Sequence, residues 1–188
     1  HLLLRKHCNV VVLGKKIFKS FDYREISERS YVHATHRRDP VHYRKSDLVG
    51  MELVVDWTSD SNPQNSLQII TYDVVPGVHC PSIVGHLIQV MRKTAQLHKE
   101  GIVHGDLRFS NIVFSEANAA VVSTIIDFDY SGPAGEKIYP PRFNPDITDG
   151  FRHAGARANE FLRPEHDIAA LQWMCAQYRP KNVDLRET

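Results

Sequence analysis

One stretch of this chain constrains its fold more than any other. His104-Gly105-Asp106-Leu107-Arg108-Phe109-Ser110-Asn111 is followed by Ile126-Asp127-Phe128-Asp129, which puts Asp127 sixteen residues beyond Asn111. Two acids and an amide thus recur in a fixed order, each beside a short β-rich run. Ile112-Val113-Phe114 leads away from Asn111, and Val121–Ile126 delivers Asp127. Ahead of the segment the spacing is helical and ends on Leu97-His98. A lone His-x-Asp in a loop carries little information. The ordered pair is specific, because structural context is what confirms a motif.

The remaining pattern breaks at Val74-Val75-Pro76-Gly77, which reads as a linker. In front of it, Asn9–Leu13 and Lys16–Lys19 form a hairpin about Gly14-Lys15. Ile26, Tyr31 and Ala34 then predict a helix over Asp22–Arg38, stopped by Asp39-Pro40. Met51–Trp57 and Leu67–Tyr72 read as strands, joined by the loop Thr58–Pro63. Behind the break, Pro81-Ser82 opens a helix with Ile83, Leu87, Val90, Met91, Thr94 and Leu97 on one stripe, closed by Gly101. The stretch Ser131–Pro145 is rich in proline and glycine and reads as a loop. A last helix spans Glu165–Tyr178, with Ile168, Leu171, Met174 and Cys175 inward. The expected class is α+β, with a small β-rich part over residues 1–75 and a mainly helical part over 76–188.

In order and composition, the central motif resembles the catalytic loop and metal-binding aspartate of the protein-kinase-like superfamily, H-x-D-x-x-x-x-N followed by D-F-x. The resemblance covers the chain from about Asn9 to Arg179 and implies a two-lobed, minimal kinase-like fold with a reduced first lobe and a shortened second one. It implies an ATP- and Mg2+-dependent phosphotransferase of the Ser/Thr protein kinase type, with protein substrates. Asp106 would be the base that receives the acceptor hydroxyl's proton. Asn111 and Asp127 would be the metal ligands, because cations bridging ATP phosphates need hard oxygen donors. Arg108 stands where many Ser/Thr kinases carry lysine and would offset charge on the transferred phosphoryl group; a surface salt bridge is the other reading. His104 is expected to pack on Phe128 rather than to do chemistry. Lys19 resembles the third-strand lysine that holds the nucleotide phosphates, with Glu28 or Glu25 as its pairing glutamate. Tyr72, Asp73 and Val74 fall where the family's hinge receives adenine. Asp167 resembles the aspartate that pins the catalytic loop from beneath.

Four departures accompany the likeness. There is no G-x-G-x-x-G, Gly14 being the only glycine before Gly50. Gly105 replaces the arginine of H-R-D, so control through a phosphorylated loop bound to that arginine is not expected. Asp129 replaces the glycine of D-F-G. No A-P-E stands in Gly132–Arg163. The missing glycine loop keeps a pseudokinase binding module open as a reading, and His104-Gly105-Asp106 keeps a small-molecule kinase open. His104–Arg108, Ile126–Tyr130, Tyr139-Pro140-Pro141, Asp149–His153 and His166-Asp167 together resemble the kinase-like C-terminal domains of crinkler effectors. The chain opens on His1, which points to an excised or processed piece, so an upstream segment could supply the glycine loop.

Composition narrows the partners. With 23 basic and 22 acidic residues the net charge is +1, so no whole-chain attraction to nucleic acid or membrane is expected. No apolar run approaches the roughly 20 residues that span a bilayer. Arg37, Arg38, Arg44 and Lys45 make a local basic patch that allows a nucleic-acid contact, although a solvated loop is the simpler reading. His33, His36 and His42 lack further ligands at metal-binding spacing. Cys8, Cys80 and Cys175 form neither a disulfide framework nor a C-x-x-C pair. They fit a reducing compartment, the cytoplasm or nucleus, of a host cell if the chain is an effector.

Overall fold

The chain divides into two units, His1–Val75 and Pro76–Thr188, and the described residues of the first are mostly β-strand. The computed structural model describes residues 2–5, 8–22, 52–58, 66–117, 120–140, 143 and 152–178. In the first unit, β1 (Leu2–Arg5), β2 (Cys8–Leu13), β3 (Lys16–Asp22), β4 (Glu52–Thr58) and β5 (Ser66–Asp73) build one five-stranded antiparallel sheet in the order β1-β2-β3-β5-β4. The hairpin about Gly14, whose φ is +58°, is longer than its sequence suggests, because pairing continues to Cys8 opposite Phe21. The sequence reading had no counterpart of β1. That strand is four residues long, too short for a period-2 pattern to register.

β3 lies between β2 and β5, with Lys19 opposite Val10 on one side and Ile70 on the other. Lys19 is only 4% exposed, so it is not a solvated hairpin lysine. The Asp22–Arg38 helix fails at its first residue, since Asp22 ends β3. The rest of that helix, with Glu25 and Glu28, lies outside the described residues, as do His33, His36, His42 and the basic patch Arg37, Arg38, Arg44 and Lys45.

The second unit holds α1 (Val84–Lys99), β6 (Ile102–Val103), β7 (Ile112–Ala117), β8 (Ala120–Ile125), β9 (Gly132–Pro133) and α2 (Pro164–Gln177). β6 pairs with β9, and β7 with β8. α1 buries His86, Leu87, Val90, Thr94 and Leu97. Ile83 and Met91, expected on that face, are exposed, and His86 takes the inward place. The His86 ring turns inward to the Ser115 carbonyl of β7, 3.2 Å from Nε2, and α1 also docks on β8 through polar groups. Ser123 Oγ donates to the His86 carbonyl, the Ser123 amide donates to Gln89 Oε1, and Gln89 Nε2 donates to the Val121 carbonyl. Buried strand amides and carbonyls must find partners, and these side chains supply them. Gly101 closes the helix as expected, at φ +76° with its amide on the His98 carbonyl.

α2 is likewise rotated from its apolar pattern. His166, Asp167, Ala170 and Met174 are buried, while Ile168 and Cys175 are exposed and Leu171 is half-buried. The stretch expected as a loop after Ser131 carries core. Tyr139 and Phe143 pack with Val103, Ala156 and Leu162. Its backbone is tied to a distant segment, Tyr139 N–H to the Glu160 carbonyl and Leu162 N–H to the Lys137 carbonyl. Among the described residues no helix is long and apolar enough to cross a membrane.

Candidate active site

The site grows from a loop that cannot satisfy its own backbone. His104 and Gly105 are buried between β6 and β7, and their amides need acceptors. Both donate to the Asp167 carboxylate of α2, His104 N–H to Oδ2 at 2.8 Å and Gly105 N–H to Oδ1 at 2.9 Å. His98, on the last turn of α1, places Nε2 2.9 Å from Oδ2. Three chain segments therefore meet on one carboxylate. Gly105 turns the chain at φ +79°, and a Cβ there would stand 2.9 Å from Leu162 Cδ2 and 3.3 Å from the Tyr130 carbonyl oxygen. The arginine of the H-R-D form would meet backbone strain here and displace the Leu162 side chain.

His104 is structural in this setting. Its Nε2 lies 3.1 Å from the Ile126 carbonyl, and its Nδ1 lies 3.3 Å from the Asp106 amide. Nδ1 accepts from the Asp106 amide, which leaves Nε2 as the donor to the Ile126 carbonyl. The ring meets Phe128 edge-on, centroids 4.8 Å apart. It ties the loop to the segment that carries Asp127.

The Asp106 carboxylate is 3% exposed and held from both ends. Asn111 Nδ2 donates to Oδ2 at 2.9 Å and to the Asp106 carbonyl at 2.8 Å. Both amide protons are spent there, which leaves the Asn111 amide oxygen as that side chain's acceptor. Arg108 Nη2 is 3.3 Å from Oδ2, and Arg152 Nη2 donates to Oδ1 at 2.7 Å. Burial pushes the Asp106 carboxyl above the usual range; Arg108, Arg152 and His104 pull it down, and the Asp127 charge raises it again.

Local geometry positions these groups. A 3-10 turn over Phe109–Asn111 folds Asn111 back, and the Asn111 carbonyl accepts the Ile126 amide at 2.9 Å. Asp127 adopts a left-handed conformation, φ 63° and ψ 62°, which a short polar side chain tolerates better than most. Asp129 follows in the 3-10 turn Phe128–Tyr130 without a positive φ, so nothing in the backbone demands the glycine of D-F-G. Lys137, buried, donates to the Ser131 carbonyl and holds the end of that turn.

Asp106, Arg108 and Asn111 therefore form one cluster with Asp127 nearby. Lys19, Tyr72, Asp73 and Val74 belong to the first unit. Tyr72 is buried opposite Ile17, and Asp73 pairs with Lys16 at 2.8 Å on the rim of the sheet. The Val74 amide donates to the Lys15 carbonyl at 2.8 Å. Sequence reasoning missed Arg152 and His98 as partners of the loop. No local spacing could reveal them, since Arg152 lies 46 residues from Asp106 and His98 lies 69 from Asp167.

Among the described residues no group of three or more His, Cys, Asp or Glu side chains could hold a metal. The Asp127 carboxylate and the Asn111 amide oxygen are two hard donors. Such a pair fits magnesium, which takes one or two carboxylates and fills its octahedron with waters and phosphate oxygens.

No family model matches the sequence, and no curated protein matches it. Among solved structures the chain resembles the Cydia pomonella granulovirus kinase PK-1, with a TM-score of 0.53 and 18% identity over 90% of this chain. The fold is therefore protein-kinase-like. This chain spans 65% of the length of that viral kinase.

Proposed function

We propose that the chain is an ATP- and Mg2+-dependent phosphotransferase of the protein-kinase type that phosphorylates protein hydroxyls. The observation that carries the reading is the buried Asp106 carboxylate, bonded to Asn111 Nδ2 at 2.9 Å, with the Asn111 carbonyl in turn accepting the amide of Ile126 next to Asp127. In this reading Asp106 orients the acceptor hydroxyl and takes its proton. Asn111 and Asp127 would hold the divalent cation, which when bound with the nucleotide neutralises charge on the transferred phosphoryl group. Arg108 adds positive charge at the same point, and Lys19 of β3 would hold the nucleotide phosphates. The residue runs shared with crinkler effector domains support that origin.

A pseudokinase is the second reading. Residues 5–8, Arg5-Lys6-His7-Cys8, join β1 to β2 without a glycine, and the Val74 amide is already bonded. The small-molecule kinase reading rests on His104-Gly105-Asp106. Incubation with radiolabelled ATP and magnesium, with dephosphorylated casein and separately with small alcohols, separates the three. Label on casein supports the proposal, label on an alcohol replaces it with the small-molecule reading, and no transfer leaves the pseudokinase.

A further inference from the structure

We infer that Arg152 is a positioning residue for Asp106: its guanidinium locks the orientation of the buried carboxylate, so that the proton-accepting oxygen is set by a residue outside the motif. The inference deepens the phosphotransferase reading and rests on Asp106 being the base.

A buried carboxylate needs compensation for the water it has lost. Asn111 and Arg108 both engage Oδ2. Without a donor on Oδ1 the carboxylate could swing about its last torsion, which is broad for an aspartate. Arg152 Nη2 supplies that donor at 2.7 Å, and its side chain is only 11% exposed. The guanidinium is itself held from behind. It lies 4.1 Å from the centroid of Phe143, a buried ring that packs 4.2 Å from Tyr139 and meets Tyr130 edge-on at 5.4 Å. Arg108, by contrast, is 31% exposed and 3.3 Å away, free to respond to whatever enters. The two arginines therefore have different tasks: Arg152 fixes and Arg108 remains at the open side. A planar fork seated on an aromatic face is the geometry in which lysine is a poor substitute.

The test measures magnesium-dependent transfer from radiolabelled ATP to dephosphorylated casein by the wild type and by Arg152→Gln, Arg152→Lys and Asp106→Asn, with magnesium-ATP affinity from calorimetry. Misplacing a reacting group can cost about 10²-fold, so Arg152→Gln should lose about that much kcat while nucleotide affinity stays near wild type. Arg152→Lys should fall between the two. A thermal-melting cycle adds a readout independent of turnover: the loss on Arg152→Gln should shrink when Asp106 is already Asn, because no carboxylate is left to strand. Should Arg152→Gln not fold, Arg152→Lys decides, and wild-type kcat there overturns the inference. It is also overturned by unchanged or raised kcat in Arg152→Gln, or by an effect confined to nucleotide affinity. An active wild type with an equally active Asp106→Asn removes the base reading instead. A wild type that transfers nothing removes both.

Discussion

The Asp167 carboxylate accepts the backbone amide of His104 at 2.8 Å, and the neighbouring Gly105 amide takes its other oxygen. One side chain of α2 thus sets the loop that carries Asp106. A buried amide left unbonded costs about 1–3 kcal/mol, so Asp167→Ala, which strands two, should cost several. Denaturant unfolding is expected to show a lowered midpoint, and transfer should be lost even at temperatures where the variant remains folded. Asp167→Asn keeps one acceptor and should be milder.

Gly105 offers a second check on the loop. A non-glycine residue at its left-handed φ costs about 1–2 kcal/mol, before the contact of a new Cβ with Leu162 Cδ2 is counted. Gly105→Ala should lower the denaturation midpoint. Gly105→Arg, which restores the H-R-D form, should be worse. A stable Gly105→Arg would mean that the loop can take another backbone path.

Asp106→Asn and Asp127→Asn should both abolish transfer but part company in binding. Asp127→Asn removes the carboxylate proposed to hold the metal and is expected to weaken magnesium-dependent nucleotide binding. Asp106→Asn faces the acceptor and should leave that binding nearly intact. Calorimetry with and without magnesium measures both, and wild-type turnover in Asp106→Asn would end its role as base.

Nucleotide affinity should be low and should depend on magnesium. Charge-assisted hydrogen bonds contribute about 1.5–3 kcal/mol each, and the β1–β2 connection has no glycine loop to supply them. Lys19 then carries a large share, so Lys19→Ala should reduce ATP affinity measurably in the same titration. Tight binding without metal would refute this.

Acid should destabilise the second unit through His166. Burial, and then the His153 ring stacked 5.3 Å away, lower its pKa below 6.5; Asp167 and Glu165 act the other way, and Arg163 adds to the lowering. The Tyr139 hydroxyl stands 3.1 Å from its Nδ1. Because the folded pKa is the lower one, the unfolded chain binds the extra proton first. Stability therefore holds above about pH 6.5 and falls as pH drops toward the folded pKa. Melting temperatures between pH 7.5 and 5 should decline, and His166→Gln should flatten that slope.

The order Asp106, Asn111, Asp127, the strands beside them and the change from β-rich to helical patterning could all be read from contiguous residues, because turns, strand runs and helix periods are local properties. Which face each helix buries could not. Counting apolar residues turned α1 toward Ile83 and Met91 and α2 toward Ile168 and Cys175, whereas buried backbone groups drew His86 and Asp167 inward. Polar residues become core when a distant amide or carbonyl needs them, and no window of sequence contains that need. The same holds for Arg152 on Asp106 and for Tyr139 within the core: their partners lie on segments joined only by folding. The motif was written in the chain by itself, and the tertiary structure alone decided what holds the Asp106 carboxylate in place, because burial creates the demand for a partner and only packing determines which residue meets it.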